Sequence, residues 1–270
     1  MMEKSRLLQQ LYSIAESAAK LVLEVYESDF GVELKGPNDP VTEADKRANQ
    51  LICQRLADAF PGCPIVAEES DPSVFGDYQH AERVFFVDPV DGTREFVRRT
   101  GEFVVMIGCV EDTRATAGII WAPTVDTVWL GETGVGAFRR RRSEDFVSIG
   151  PSLAAAPNDA LMLVSRAQTQ QEIETLQQQL RAARVEAMGS AGLKGAAVSD
   201  GSADAYVAPR YAGKRWDACA PDAIVSASGA VFTDCDGRAI DYRGNDLVNR
   251  RGLLAANACL HGHLVERLRA

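Results

Sequence analysis

Apolar residues recur at three- and four-residue steps through Leu7, Leu8, Leu11, Ile14, Ala18, Leu21, Val22 and Val25, a period that predicts one long amphipathic helix. Two prolines and a glycine interrupt the pattern in Glu33 to Asp45, which reads as a loop. A second helix follows, with Thr42 as a suitable cap and Ala44, Ala48, Leu51, Ile52, Leu56 and Phe60 on its buried side. The pattern then turns extended. CPIVAEES and RVFFVDPVDGT are short apolar runs ending in acids, and FVVMIGCVED, ATAGIIWAPT and TVWLGETGVGAF predict a meander of paired strands. Beyond it ALMLVS, RVEAM, ADAYVAP and AVFTDCDG read as strands. QTQQEIETLQQQLRAA, the segment after Gly189, and WDACAPDAIVSASG, stopped by Gly229, read as helices. Helices and strands therefore interleave, with antiparallel hairpins in the middle, and no repeat is present.

Length and composition narrow this only modestly. A chain of 270 residues with 46% apolar and 25% charged residues suits one large domain or two intimately packed small ones. A net charge of -9 argues against a nucleic-acid polymer as partner, because a phosphate backbone needs a basic surface. The six cysteines are scattered without a C-x-x-C pair, which reads as reduced, mostly buried thiols and not as a zinc site. The three histidines read as surface or capping residues. The first residues lack the apolar core of a signal peptide, and no run approaches the length of a membrane span. The expectation is a cytoplasmic protein without a membrane partner.

The acids change the picture. Asp45, Glu68, Glu69, Asp88, Asp91 and Asp217 all fall at strand ends or helix starts. Hard oxygen donors without histidine or cysteine favour magnesium over zinc. In Asp88-Pro89-Val90-Asp91-Gly92-Thr93 the proline reorients the chain between two carboxylates, and the Val90 carbonyl is free to act as a ligand. Gly92 and Thr93 offer N–H groups to a phosphate oxygen where a helix begins. One D-x-x-D-G is ordinarily a surface turn, but T-E-A-D, A-E-E-S, D-P-V-D-G-T and W-D-A occur together, each at an element end. Other phosphatase chemistries fail on spacing. Two residues, not one, separate Asp88 from Asp91, no cysteine has an arginine six residues on, no Arg-His-Gly triplet exists, and Gly189 to Lys194 lacks P-loop spacing.

With these motifs the chain resembles the inositol monophosphatase superfamily of magnesium-dependent, lithium-sensitive phosphatases, over essentially its whole length. The resemblance implies an α/β fold, a layered α/β/α/β/α sandwich. It implies one phosphatase unit over 1–270, with an N-terminal half (1–148) carrying most metal ligands and a C-terminal half (149–270) carrying Asp217 and substrate-side residues. It implies two or three Mg2+ ions held by Glu68, Asp88, Asp91, Asp217 and the carbonyl of Val90. Asp45 and Thr93, hydrogen-bonded to each other, would position the attacking water with help from Glu68. Asp91 and Asp217 would hold the ion that stabilises the leaving alkoxide, without a covalent phosphoenzyme.

On the substrate side, Arg94-Glu95-Phe96 after D-G-T, then Gly101-Glu102-Phe103, is the style of the 3'(2'),5'-bisphosphate nucleotidase (CysQ-type) branch. NDPVTEAD and LVSRAQ look like that branch too, whereas Val104-Val105-Met106-Ile107 departs from it. Inositol phosphatases carry a glutamate seven residues before the W-D aspartate; here that position is Arg210, a cation able to grip a second phosphate. Gly189 and the Ser190 hydroxyl match a loop that contacts the sugar or base side. Lys194 and Lys214 read first as surface lysines, Arg139 to Arg142 as a solvated hairpin tip, and Glu69 as a support for Glu68. The resemblance implies a small phosphorylated substrate, best adenosine 3',5'-bisphosphate, and hence sulfur metabolism. An inositol or broad sugar-phosphate phosphatase is the alternative, a non-catalytic phosphate sensor the contrasting class, and a homodimer is left open.

Overall fold

The computed structural model describes residues 5–36 and 39–269. The chain runs through α1 (Arg6–Glu27), β1 (Val32–Gly36), β2 (Asp39–Thr42), α2 (Glu43–Ala59), β3 (Ile65–Ala67), β4 (Arg83–Asp91) and the short α3 (Thr93–Val97). A meander follows: β5 (Val104–Glu111), β6 (Arg114–Ala122), β7 (Thr127–Glu132), β8 (Gly136–Arg141) and β9 (Val147–Ser148). The remainder is β10 (Leu161–Ser165), α4 (Gln170–Leu180), β11 (Arg184–Met188), α5 (Ala191–Ser199), β12 (Ala205–Ala208), α6 (Arg215–Ala227), β13 (Val231–Thr233), β14 (Leu253–Ala256) and α7 (Ala258–Arg269).

Strands β3 to β9 form a seven-stranded sheet in sequence order, parallel at β3–β4 and antiparallel elsewhere. The second sheet has the order β11-β10-β12-β14-β13, parallel over its first three strands. Alternation along the strands sorts side chains into layers. Phe85, Val87, Val105, Ile107 and Ile119 face α1 and α2, joining Leu8, Leu11, Val22, Ile52 and Leu56 in one buried cluster. Val84, Phe86, Met106 and Ile120 face the other way, toward α5 and α6. Those helices also meet the second sheet through Val198, Tyr206, Ala218, Leu253 and Ala255. The far side of that sheet packs on α4 and α7 through Ile173, Leu176, Leu260 and Leu264. The outcome is the five-layer α/β/α/β/α order that the resemblance implied.

A row of glycines sets how deep α6 lies. Gly108 on β5 pairs with Gly118 on β6, which pairs with Gly131 on β7. A Cβ at Gly108 would stand 2.5 Å from Cys219 Sγ, and one at Gly118 2.7 Å from the Ala220 carbonyl oxygen. Three adjacent strands without side chains make a trough that admits the helix backbone, and α6 carries Asp217.

Four sequence readings change. The segment read as a loop contains the antiparallel β1–β2 pair, although Pro37 and Asn38 of that reading lie outside the described residues. Val32 and Leu34 are exposed, so no buried face signals the strand. Arg139 to Arg141 belong to β8, not to a hairpin tip; Arg139 donates to Asp200 at 2.8 Å, and Arg140 lies over the rings of Tyr12, Trp121 and Phe146. His261 is buried, with Nε2 2.8 Å from the Thr233 hydroxyl, whereas His80 is an exposed partner of Asp77. Lys194 is buried too, as described below. Of the cysteines, Cys109, Cys219 and Cys235 are buried and Cys259 is exposed, all unpaired.

Candidate active site

Strand β4 delivers both aspartates of D-x-x-D to one place. In a regular strand, positions three apart point to opposite faces. Here the register shifts: Asp88 pairs with Met106 and Asp91 with Val104, so two residues of β4 oppose one of β5. That bulge re-aims the strand end. The Val90 N–H donates back to Asp88 Oδ1 at 3.1 Å, which fixes the turn. Asp217 enters from the first turn of α6, where its carboxylate accepts the Lys214 N–H at 2.6 Å. Gly213 makes room, since a Cβ there would stand 2.4 Å from Asp217 Oδ2. One oxygen from each of Asp88, Asp91 and Asp217 lies within 4.8 Å of the others.

Glu68 completes the acidic face. It follows β3, its N–H donates to the Val87 carbonyl at 3.0 Å, and its carboxyl lies beside that of Asp88. Burial pushes Glu68 up to about 7 against the pull of Lys35. Burial pushes Asp88 well up, reinforced by Glu68, Asp91 and Asp217; Asp217 goes the same way through burial and the charges of Asp91 and Glu68. Such a set cannot be fully ionised without a cation among it, and its hard oxygens suit a divalent metal. Val90, buried in the turn between the two aspartates, has its carbonyl 3.1 Å from the Thr93 hydroxyl.

Asp45 and Thr93 form a second group. Asp45, at the third position of α2, accepts the Thr42 N–H at 2.8 Å and the Thr42 hydroxyl at 2.5 Å. Its other oxygen lies 3.1 Å from the Thr93 hydroxyl. Burial raises the Asp45 pKa, and the Thr42 hydrogen bonds oppose that rise. Gly92 caps α3 at φ 99°, and a Cβ there would stand 2.7 Å from the Glu102 carbonyl oxygen.

The turn at Gly189 and Ser190 grips Asp91. The Ser190 hydroxyl donates to Asp91 Oδ2, and the Gly192 N–H reaches the same oxygen at 2.7 Å. The Ser190 oxygen also accepts the Leu193 N–H at 3.0 Å, which ties the turn to the start of α5. Lys194, read as a surface residue, lies under the turn, where its ammonium meets the carbonyls of Met188, Gly189 and Ser190. Burial lowers its pKa to about 8. A lone charge among the small and apolar residues of A-G-L-K-G-A-A-V was the available signal. Lys214 is exposed over the Trp216 ring. Glu69 pairs with Lys35 of β1, which also reaches Glu68 at 3.3 Å, so the loop reading concealed a lysine beside the acids.

Arg210 stands apart from the carboxylates. It is exposed and lines a cavity of about 790 Å³ together with Ser165, Thr169, Glu172, Tyr211 and Arg251. None of Asp88, Asp91 and Asp217 is among the residues lining that cavity.

The inositol monophosphatase family model matches residues 3–270. The 3'(2'),5'-bisphosphate nucleotidase CysQ of Salmonella typhimurium is 32% identical over 239 residues, which cover 87% of this chain and 94% of that protein. The crystal structure of the extragenic suppressor protein suhB from Bartonella henselae superposes with a TM-score of 0.82 at 25% identity, covering 98% of this chain and 99% of the other. That of CysQ from Bacteroides thetaiotaomicron superposes with a TM-score of 0.75 at 25% identity, covering 92% and 96%. Built on this fold and matched from end to end, the chain belongs to the inositol monophosphatase family.

Proposed function

We propose that this member of the family is a magnesium-dependent 3'(2'),5'-bisphosphate nucleotidase that converts adenosine 3',5'-bisphosphate to AMP and phosphate. The observation that carries the reading is the convergence of Asp88, Asp91 and Asp217, with Thr93, just after the β4 turn, paired to Asp45 of α2. The similarity to CysQ proteins and the arginine at position 210 favour a bisphosphate over a sugar monophosphate.

Glu68, Asp88, Asp91, Asp217 and the Val90 carbonyl would hold Mg2+. The ions supply positive charge for the phosphate oxygens, acidify water and neutralise the leaving oxygen. The chain's own residues do the rest. Thr93 presents its hydroxyl to the attacking water, and Asp45 fixes that hydroxyl while anchored by Thr42. Glu68, beside Asp88, helps Thr93 orient and activate that water. The N–H groups of Gly92 and Thr93, at the start of α3, meet the phosphate. The Gly189–Ser190 turn would line the sugar side, and the Arg210 guanidinium would take the second phosphate.

Phosphorus NMR of the protein turning over adenosine 3',5'-bisphosphate with magnesium tests the regiochemistry. Loss of the 3' resonance with the 5' resonance retained is the expected result. Loss of the 5' resonance, or no turnover, would contradict the proposal.

A further inference from the structure

Among the charged residues beside the Gly189–Ser190 turn that the metal-ligand reading leaves unused, two hold its backbone from opposite sides. One is Glu102, whose carboxylate accepts the Gly189 N–H at 2.7 Å through Oε2. The same carboxylate takes a two-pronged grip from Arg166, with Nε 3.2 Å and Nη2 2.6 Å from Oε2. The Arg166 N–H in turn donates to the Met188 carbonyl at 3.2 Å. The other is Lys194, which holds the carbonyls of Met188, Gly189 and Ser190 from below. An anion thus takes the turn's N–H while a buried cation takes its carbonyls. Between them Ser190 sits at φ 56°, a conformation that a non-glycine residue keeps only where its surroundings hold it. Space is set as tightly: a Cβ at Gly189 would stand 2.5 Å from Glu95 Cγ, and one at Gly192 2.5 Å from Met106 Sδ.

We infer that Glu102 and Lys194 act as an opposed-charge clamp that positions Asp91 through the Gly189–Ser190 turn. The strained Ser190 aims its hydroxyl at Asp91 Oδ2 and starts α5, whose Gly192 N–H meets the same oxygen. With Oδ2 held by two donors, the rotation of the carboxylate is fixed. The same carboxylate contributes to the cluster with Asp88 and Asp217. Relaxing the turn frees that rotation and loosens the cation site without removing any ligand. Effects of about tenfold to a hundredfold on metal affinity are usual for partners of this kind. The inference rests on Asp91 as a metal ligand, but not on the identity of the substrate.

The test is calorimetric titration of the purified full-length chain with Mn2+, alongside urea unfolding. Glu102 is half-buried at the surface, so its variants keep the core intact. Glu102→Ala is expected to weaken Mn2+ binding at least about tenfold, and Glu102→Gln, which still accepts from the Gly189 N–H, to restore most of it. Lys194→Met should act in the same direction. In an Asp91→Asn background, adding Glu102→Ala should change Mn2+ affinity no further, because the clamp acts only through Asp91. Unchanged affinity in a folded Glu102→Ala protein would overturn the clamp, as would equal losses with and without Asp91. Absence of phosphatase turnover in the parent protein would count against the proposed reaction and leave these titrations readable.

Discussion

The Thr93 hydroxyl lies 3.1 Å from Asp45 Oδ1, bridging the start of α2 and the end of the β4 turn. Asp45 is itself fixed by the N–H and hydroxyl of Thr42, the cap of α2, so the direction of the Thr93 hydroxyl is inherited from a carboxylate forty-eight residues earlier. Thr93→Val keeps the shape and removes the hydroxyl. Turnover should fall by about 10²–10⁴-fold, the usual contribution of one positioned proton-handling group. The loss of stability should stay near about 1 kcal/mol. Asp45→Asn should act on the same step, and the double variant should be little worse than either. Additive losses would show that the two residues work independently.

Asp217 depends on an absent side chain. Gly213 has φ +69°, and a Cβ there would collide with the Asp217 carboxylate. Gly213→Ala should cost about 1–3 kcal/mol of stability and displace a proposed metal ligand, lowering turnover more than about tenfold. Gly134→Ala is the control: it shares the positive φ, at +79°, but has nothing within 4 Å of the new Cβ. Urea unfolding should show strain in both proteins, and magnesium-dependent activity a defect only in the first.

The buried acids set a pH dependence with a definite sign. Glu68 is pushed up to about 7 and Asp222, bonded to Tyr242 and Ser226, up to about 6, both chiefly by burial. A carboxyl whose pKa is raised in the folded state binds more protons folded than unfolded. Without metal, stability should therefore be greatest near about pH 4–5 and fall as pH rises toward about 7. His261, lowered by burial, gives a smaller opposite slope up to its ordinary value of 6.5. Lys194, lowered to about 8, is charged both folded and unfolded below that pH and adds no slope there. Saturating magnesium, by replacing protons on the cluster, should flatten the Glu68 part and leave the Asp222 part. Urea midpoints across pH, with magnesium and with chelator, read this directly. A metal-free midpoint that rises over that range would contradict the assignment.

Arg210 tests the substrate side. Arg210→Glu places a negative charge beside Glu172 in the 790 Å³ cavity. It should raise the KM for the bisphosphate by at least about tenfold, a loss within reach of one charge-assisted contact, and leave turnover of a sugar monophosphate nearly unchanged. Equal losses on both substrates would remove Arg210 from recognition of the second phosphate.

How much of this was legible in the sequence depended on whether burial left a periodic trace. Helix α1 announced itself because Leu8, Leu11, Ile14, Val22 and Val25 all face one core. Strand β1 did not, because Val32 and Leu34 face solvent. The acids of A-E-E-S, D-P-V-D-G-T and W-D-A stood out as types at element ends, but the bulge between Asp88 and Asp91 that makes them converge leaves no periodic mark. Charged residues misled where chemistry overrode their usual solvation. Lys194 is buried because three backbone carbonyls receive its ammonium, and Arg140 is tolerated inside because Tyr12, Trp121 and Phe146 surround its guanidinium. The glycine row Gly108, Gly118 and Gly131 was visible as letters, but its role in seating α6 appears only once the strands are in register.

The most direct measurement compares phosphate release from adenosine 3',5'-bisphosphate and from inositol 1-phosphate by the same preparation with magnesium, with and without lithium. The expected result is a kcat/KM for the nucleotide higher by at least about a hundredfold, abolished by Asp91→Asn and inhibited by lithium. Equal or greater efficiency on inositol 1-phosphate would contradict the bisphosphate nucleotidase assignment, and full activity of Asp91→Asn would contradict the metal site itself.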